Sequence, residues 1–150
     1  MNNKLLKKFS IQPLRFQDVM AILKIDHKNH SQWPLRYYIK SLTSPHFYSY
    51  IARMNDITVG SMLFRISIHD MHIDRIIVDL SFRRKGIGGR LLKNGLFIAQ
   101  KKNAINSFLI VSAQNKIAIN FYTKYGFQID AIEPGYYSGK DDGLRMKRLI

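Results

Sequence analysis

At 150 residues, 46% hydrophobic and 12% aromatic, the chain has the size and apolar content of one domain that buries a core without metal or disulfide support. It contains no cysteine, which excludes disulfides, thiolate metal sites and thiol nucleophiles and suits a reducing compartment. A net charge of +14 attracts anionic partners at long range, but the basic residues are spread along the chain as on a lysine-rich solvated surface, so no specific nucleic-acid partner is expected.

The opening Met1–Lys8 run is basic, but strand-like sequence follows it rather than a secretory apolar segment. No apolar run approaches the roughly 18 residues that span a bilayer. A single cytoplasmic domain over residues 1–150, with no membrane partner, is the expectation. Phe9–Leu14 alternates apolar and polar residues as a first strand does. Asp18 is placed to cap a helix whose apolar positions Val19, Ile22, Leu23 and Ile25 recur at helical spacing. Pro34 suits the first turn of a second helix through Tyr37, Tyr38 and Leu42.

Phe47–Met54 and Ile57–Ser67 are β-rich and flank Asn55-Asp56, a hairpin signal. Met71–Val78 predicts a fourth strand ending in the apolar run Ile76-Ile77-Val78. Arg83–Gly89 then opens a helix with Leu91, Leu92, Leu96, Phe97 and Ile98 expected on its core side. Ser107–Val111 predicts a short buried strand, Ile117–Lys124 a helix, and Phe127–Ile132 and Leu144–Lys147 a final strand pair. The order β α α β β β α β α β β gives a mixed α/β (α+β) class in which helices cover a twisted sheet.

Arg83-Arg84-Lys85-Gly86-Ile87-Gly88-Gly89 lies between a predicted strand and a predicted helix, where backbone amides at a helix N-terminus form an anion site. Gly86, Gly88 and Gly89 permit close approach to oxygen atoms, and Arg83, Arg84 and Lys85 add charge-assisted donors. A solvated basic loop has the same composition. The segment is not a P-loop, since no Gly-Lys-Ser/Thr follows four spacers. It also lacks the third glycine and downstream acid of a dinucleotide fingerprint.

Val78–Leu92 resembles the acetyl-CoA motif of the GNAT superfamily of N-acetyltransferases, with Arg83, Gly86 and Gly88 as its Arg-x-x-Gly-x-Gly core. A second motif of that family is matched by Asn115–Phe127, including Ala118, Tyr122, Tyr125 and Gly126. The tail Gly135–Met146, with the pair Tyr136-Tyr137, and the early Trp33-Pro34 are similar to the peptide-slot segments of protein N-terminal acetyltransferases, in particular a bacterial ribosomal-protein-alanine branch and a eukaryotic branch.

The resemblance implies a mostly antiparallel twisted sheet of about seven strands flanked by about four helices, with a splay between strands four and five. It implies acetyl-CoA as co-substrate, no metal, and direct transfer to an amine: a protein N-terminus, with ribosomal protein and ribosome association in view, or a small-molecule amine. A chain with lost catalysis that only binds acetyl-CoA is a third reading. Cofactor contacts fall on Ile76, Ile77, Val78, Arg83, Arg84, Lys85, Gly86, Ile87, Gly88, Gly89, Asn115 and Tyr122. Each also has an ordinary structural explanation, buried strand for Ile76–Val78 and helix N-cap for Asn115.

Tyr122 matches the family's proton donor to the departing sulfur; a phenol titrates near 10, so it holds its proton at neutral pH. The general base is the departure. Where one branch has glutamate and the other histidine on the fifth strand, this chain has Ile110. His72 and Asp74 on the fourth strand are alternative acceptors, and an α-amino group near pKa 8 needs little help. Trp33, Tyr136 and Tyr137 are expected to border the acceptor slot. Glu133 and Asp141 are further acidic groups, read as solvated.

Overall fold

The computed structural model describes residues 8–29 and 33–150; of the basic run Met1–Lys8 expected at the start, residues 1–7 lie outside them. Seven strands form one hydrogen-bonded order, β1-β2-β3-β4-β5-β7-β6. These are β1 (Phe9–Pro13), β2 (Phe47–Met54), β3 (Ile57–Ser67), β4 (Asp70–Val78), β5 (Asn106–Ser112), β6 (Gln128–Tyr137) and β7 (Asp141–Leu149). Four α-helices accompany them: α1 (Val19–Lys28), α2 (Leu35–Thr43), α3 (Ile87–Lys101) and α4 (Lys116–Lys124). The class, element order and mixed sheet expected from sequence all hold.

The β2–β3 turn follows from two residues. Asn55 and Asp56 both adopt positive φ, 49° and 66°, as a two-residue hairpin turn requires. β1–β2, β5–β7 and β6–β7 pair antiparallel, while β4–β5 is parallel over Asp70–His72 against Asn106–Phe108. β4 runs on to Val78 and β5 to Ser112 beyond that short ladder, which is the splay expected between strands four and five.

Contacts divide the chain into two compact units, Met1–Phe64 with Arg75–Gly95, and Arg65–Asp74 with Leu96–Ile150. The first unit is built on a cluster of Leu14, Val19, Ile22, Ile25, Tyr38, Ile51, Leu63 and Ile77. Three of these are the helical-spaced apolar positions of α1. Asp18 stands at the N-cap of α1, but its carboxylate makes no capping bond. It accepts instead from Arg53 at 2.5 Å and from the Arg15 N–H at 3.0 Å, because a guanidinium is the stronger donor. Pro34 is the N-cap of α2 rather than part of its first turn.

In the second unit Met71, Ile73, Ala99, Leu109, Val111, Tyr122, Phe127 and Met146 are buried. Phe97 departs from expectation. The buried side of α3 runs through Leu92, Leu96 and Ala99, which turns Phe97 outward to 58% exposure, with the Lys101 ammonium 5.4 Å from its ring centre. No helix among the described residues is long and apolar enough to cross a membrane.

Candidate functional site

The glycine-rich turn belongs to the first unit. Arg84 and Gly86 adopt positive φ, 63° and 77°, folding the chain into the start of α3. The Arg90 N–H bonds back to the Gly86 carbonyl at 3.1 Å. The N–H groups of Ile87, Gly88 and Gly89 precede it, so helix geometry leaves them without partners inside the helix. A Cβ added to Gly86 would meet nothing within 4 Å. Open space at Gly86, beside the backbone donors of a helix N-terminus, fits a diphosphate.

The cations of the turn are not equivalent. Arg83 donates from Nη2 to Asn29 Oδ1 at 3.0 Å and from Nε to the Val78 carbonyl at 3.4 Å, so it braces the turn against the end of α1. Lys85 stands 5.1 Å from the Phe82 ring centre, and Arg84 is exposed. Asn29 also donates to the Val78 carbonyl at 3.2 Å. That oxygen is therefore engaged by two donors of the fold, although Val78 was expected to offer backbone to a cofactor. Ile76 and Val78 are half-buried and Ile77 is buried.

Gly60, which sequence reasoning missed, is what lets β3 lie against this segment: a Cβ there would come 2.6 Å from the Ile77 carbonyl oxygen. No local motif marks it.

Asp79 closes β4. Its N–H donates to the Val59 carbonyl at 2.9 Å, and its carboxylate accepts from the Ser81 N–H at 2.9 Å and from Lys28 at 3.3 Å. Burial raises its pKa, but the Ser81 and Lys28 donors outweigh burial and hold it below the usual carboxylate range. A depressed folded-state pKa gives stability that is complete above the unfolded value and lost as pH falls through the folded one. Asp79→Asn is accordingly expected to cost about 1 kcal/mol at neutral pH, with the gap to wild type closing in urea melts as pH falls below the usual carboxylate range. A gap of constant size across the acid range would contradict this.

In the second unit, Asn115 is the N-cap of α4 and its Oδ1 accepts from the Ala118 N–H at 3.1 Å. The cap uses the carbonyl oxygen, and the amide group keeps donors for other partners. α4 ends in a Schellman motif. Gly126 adopts φ 86°, its N–H reaches the Thr123 carbonyl at 3.0 Å, and the Phe127 N–H reaches the Tyr122 carbonyl at 3.1 Å. Phe127 thereby packs edge-on against the Tyr122 ring at 5.5 Å, with Phe121 on Tyr122 at 5.1 Å. The Tyr-x-x-x-Gly-Phe spacing is thus a device that fixes one phenol ring.

His72, Tyr136 and Tyr137 come together on one face of this unit. His72 is half-buried and stacks on Phe108, its register partner, at 5.7 Å. Two residues along β5, the Ile110 carbonyl accepts from the Tyr137 hydroxyl at 3.3 Å. Tyr136 packs edge-on to Tyr137 at 5.1 Å. The tyrosine pair ends strand β6 rather than occupying a free loop, because Tyr137 pairs with Asp141 across the hairpin. Burial, then the neighbouring Tyr136, pushes the Tyr137 phenol up and keeps it a donor.

Gly143 was also missed: a Cβ there would lie 2.8 Å from Ile110 Cγ2 and 3.0 Å from Tyr136 Cβ. Its bareness makes room for both. Asp74 is held by Arg65 through paired bonds of 2.8–3.1 Å, which commits its carboxylate to an ion pair. Trp33 lies in the first unit, against Tyr37, Tyr38 and Arg75. The surface depression among Gly126, Gln128, Asp130 and Arg148 contains none of the candidate site residues.

Comparison with known proteins agrees with this architecture. N-alpha-acetyltransferase 50 of Danio rerio is 37% identical over 93 residues, covering 58% of this chain and 55% of that protein. An N-alpha-acetyltransferase of Sulfurisphaera tokodaii is 27% identical over 154 residues, covering 93% of this chain and 92% of that protein. The chain spans about half the length of the first curated relatives it matches. The crystal structure of the ribosomal-protein-S18-alanine N-acetyltransferase from Escherichia coli shares the fold with a TM-score of 0.87 at 22% identity, over 95% of this chain and 94% of that one. The family model described as acetyltransferase (GNAT) family matches residues 16–127, and the chain belongs to that family.

Proposed function

We propose that this chain transfers an acetyl group from acetyl-CoA to an amine, and that the acceptor is the α-amino group of a protein N-terminus, with ribosomal proteins as the first class to test. The observation that carries the reading is the start of α3, where the space at Gly86 is open and the first N–H groups have no acceptor within the helix. The names of the two curated relatives support an α-amino acceptor.

Bound acetyl-CoA supplies the activated acetyl group. Ile87, Gly88 and Gly89 hold its diphosphate with main-chain donors, and Arg84 and Lys85 add positive charge beside them. Tyr122 gives a proton to the departing sulfur. His72 takes the proton of the amine, directly or through water, since Asp74 is occupied by Arg65 and Ile110 cannot act as a base. An α-amino group loses its proton far more readily than a lysine side chain, which suits a site with so modest a base. We place the protein in the cytoplasm, where acetyl-CoA and nascent N-termini meet.

The test follows thiol release with free-N-terminus peptides, lysine-only peptides with blocked N-termini, and small amines. Turnover is expected with the first group alone. Turnover with small amines alone would replace the acceptor assignment. Tight coenzyme A binding without any turnover would favour a chain that binds acetyl-CoA and has lost catalysis, the reading that Ile110 favours.

A further inference from the structure

Two of the strand connections treat positive φ differently. Asn55 and Asp56 suit it, but β3 and β4 are joined by Ile68-His69, and there Ile68 takes φ 53°. A β-branched residue rarely adopts that conformation, and glycine is what the first position of a two-residue loop favours. The Ile68 side chain is 85% exposed, so burial within the fold does not offset the strain.

Ile68 has company at this end of the second unit. The His69 carbonyl accepts from the Ile105 N–H at 2.6 Å and the Asn106 N–H at 3.3 Å. The Ile105 carbonyl accepts in turn from the Ile150 N–H at 2.9 Å, and Asn106 is the register partner of Leu149. The β3–β4 turn, the loop before β5 and the end of β7 are thus tied together through the main chain. Each presents an aliphatic side chain to solvent: Ile68, Ile105 at 54% and Leu149 at 68% exposure. A hydrogen-bonded backbone that already holds these groups outward lowers the ordering cost of binding.

The charge beside them has one sign. Residues 67–69, 99–109 and 146–150 include Lys101, Lys102, Lys147 and Arg148 and no acidic residue. Lys101 and Lys102 are exposed, shortly before Ile105. Asp70, which follows the turn, accepts from Asn106 Nδ2 at 2.9 Å. A second copy of the chain would set these cations against themselves, and three aliphatic tips fall far short of the roughly 20–30 residues a side of a stable interface. An anionic lipid surface fits both features, since it admits a few apolar side chains to shallow depth and attracts lysines.

We propose that this end of the second unit docks on an anionic phospholipid surface, with Ile68, Ile105 and Leu149 entering the headgroup region and Lys101 and Lys102 meeting its charge. The expectation of no membrane partner came from the lack of a spanning run, and lying on a surface needs none. The docking is independent of the acetyl-transfer reading.

The test uses the whole chain with vesicles of phosphatidylcholine alone, or mixed equally with phosphatidylglycerol. Wild type is expected to sediment with the mixed vesicles and to stay in solution with the neutral ones. Ile68→Gly is expected to raise Tm by about 2–4 °C, because the strain is gone, and to weaken vesicle binding by about threefold to tenfold. Leu149→Ser is expected to weaken binding by a similar factor. Lys101→Gln with Lys102→Gln is expected to weaken it and to flatten its salt dependence. Ile57→Ser, which removes an exposed aliphatic of the first unit, is expected to leave binding unchanged.

A net charge of +14 draws the chain to any anionic surface, so binding that survives both Ile68→Gly and Leu149→Ser is charge alone and overturns the proposal. No binding by wild type overturns it too, as does an equal loss in Ile57→Ser. A lower Tm in Ile68→Gly would show that isoleucine serves the fold at that turn, which removes the ground for the proposal. A dimer in vesicle-free buffer that Ile68→Gly dissolves would make a second copy the occupant and the lipid assignment wrong.

Discussion

Tyr122→Phe is expected to lower the acetyl-transfer rate by about a hundredfold to ten-thousandfold, the range that a lost general acid produces, with coenzyme A affinity nearly unchanged. The ring is buried between Phe121 and Phe127, and its carbonyl anchors the end of α4, so removing one oxygen leaves the packing and the helix terminus in place. A rate loss with intact affinity isolates the proton. Single-turnover rates and calorimetric affinity, measured on the same preparation, decide the matter. If affinity falls in step with rate, the hydroxyl is holding structure or cofactor rather than delivering a proton.

The second large effect is expected at a residue with no side chain. Gly60→Ala would place a methyl group 2.6 Å from the Ile77 carbonyl oxygen and 3.4 Å from Leu91 Cδ1 and Val78 Cα. The nearest of these is backbone inside a strand, so no side-chain rotation relieves the clash. Overpacking of this kind costs roughly 2–3 kcal/mol, or about 4–12 °C in Tm for a chain of this size. If Ile76–Val78 contacts the cofactor as the family resemblance implies, coenzyme A affinity falls by about tenfold as well. A variant with wild-type melting temperature would show that β3 and β4 separate more easily than their packing implies.

Much of this molecule was legible from sequence, for a physical reason. The Asn55-Asp56 hairpin, the Gly86 turn and the Tyr122–Phe127 helix end are all encoded within a few consecutive residues, where φ preferences and helix termini dominate. The unread features couple residues far apart in the chain. Gly60 matters because of Ile77, Gly143 because of Ile110 and Tyr136, and Asp26 because of Arg75. Spacing along a strand says nothing about which atom stands opposite. Phe97 and Asp18 failed differently: helical periodicity left the angular edge of the α3 core ambiguous, and a capping residue found a guanidinium instead.

The Schellman closure of α4 has a practical consequence. Tyr122 is bound into the scaffold through its main-chain oxygen and its ring faces, and neither depends on how acidic its hydroxyl is. Fluorinated tyrosines installed at this position would therefore step the phenol's pKa downward toward neutrality with the surrounding protein held constant. The slope of log rate against that acidity would then measure how far the proton has travelled at the barrier.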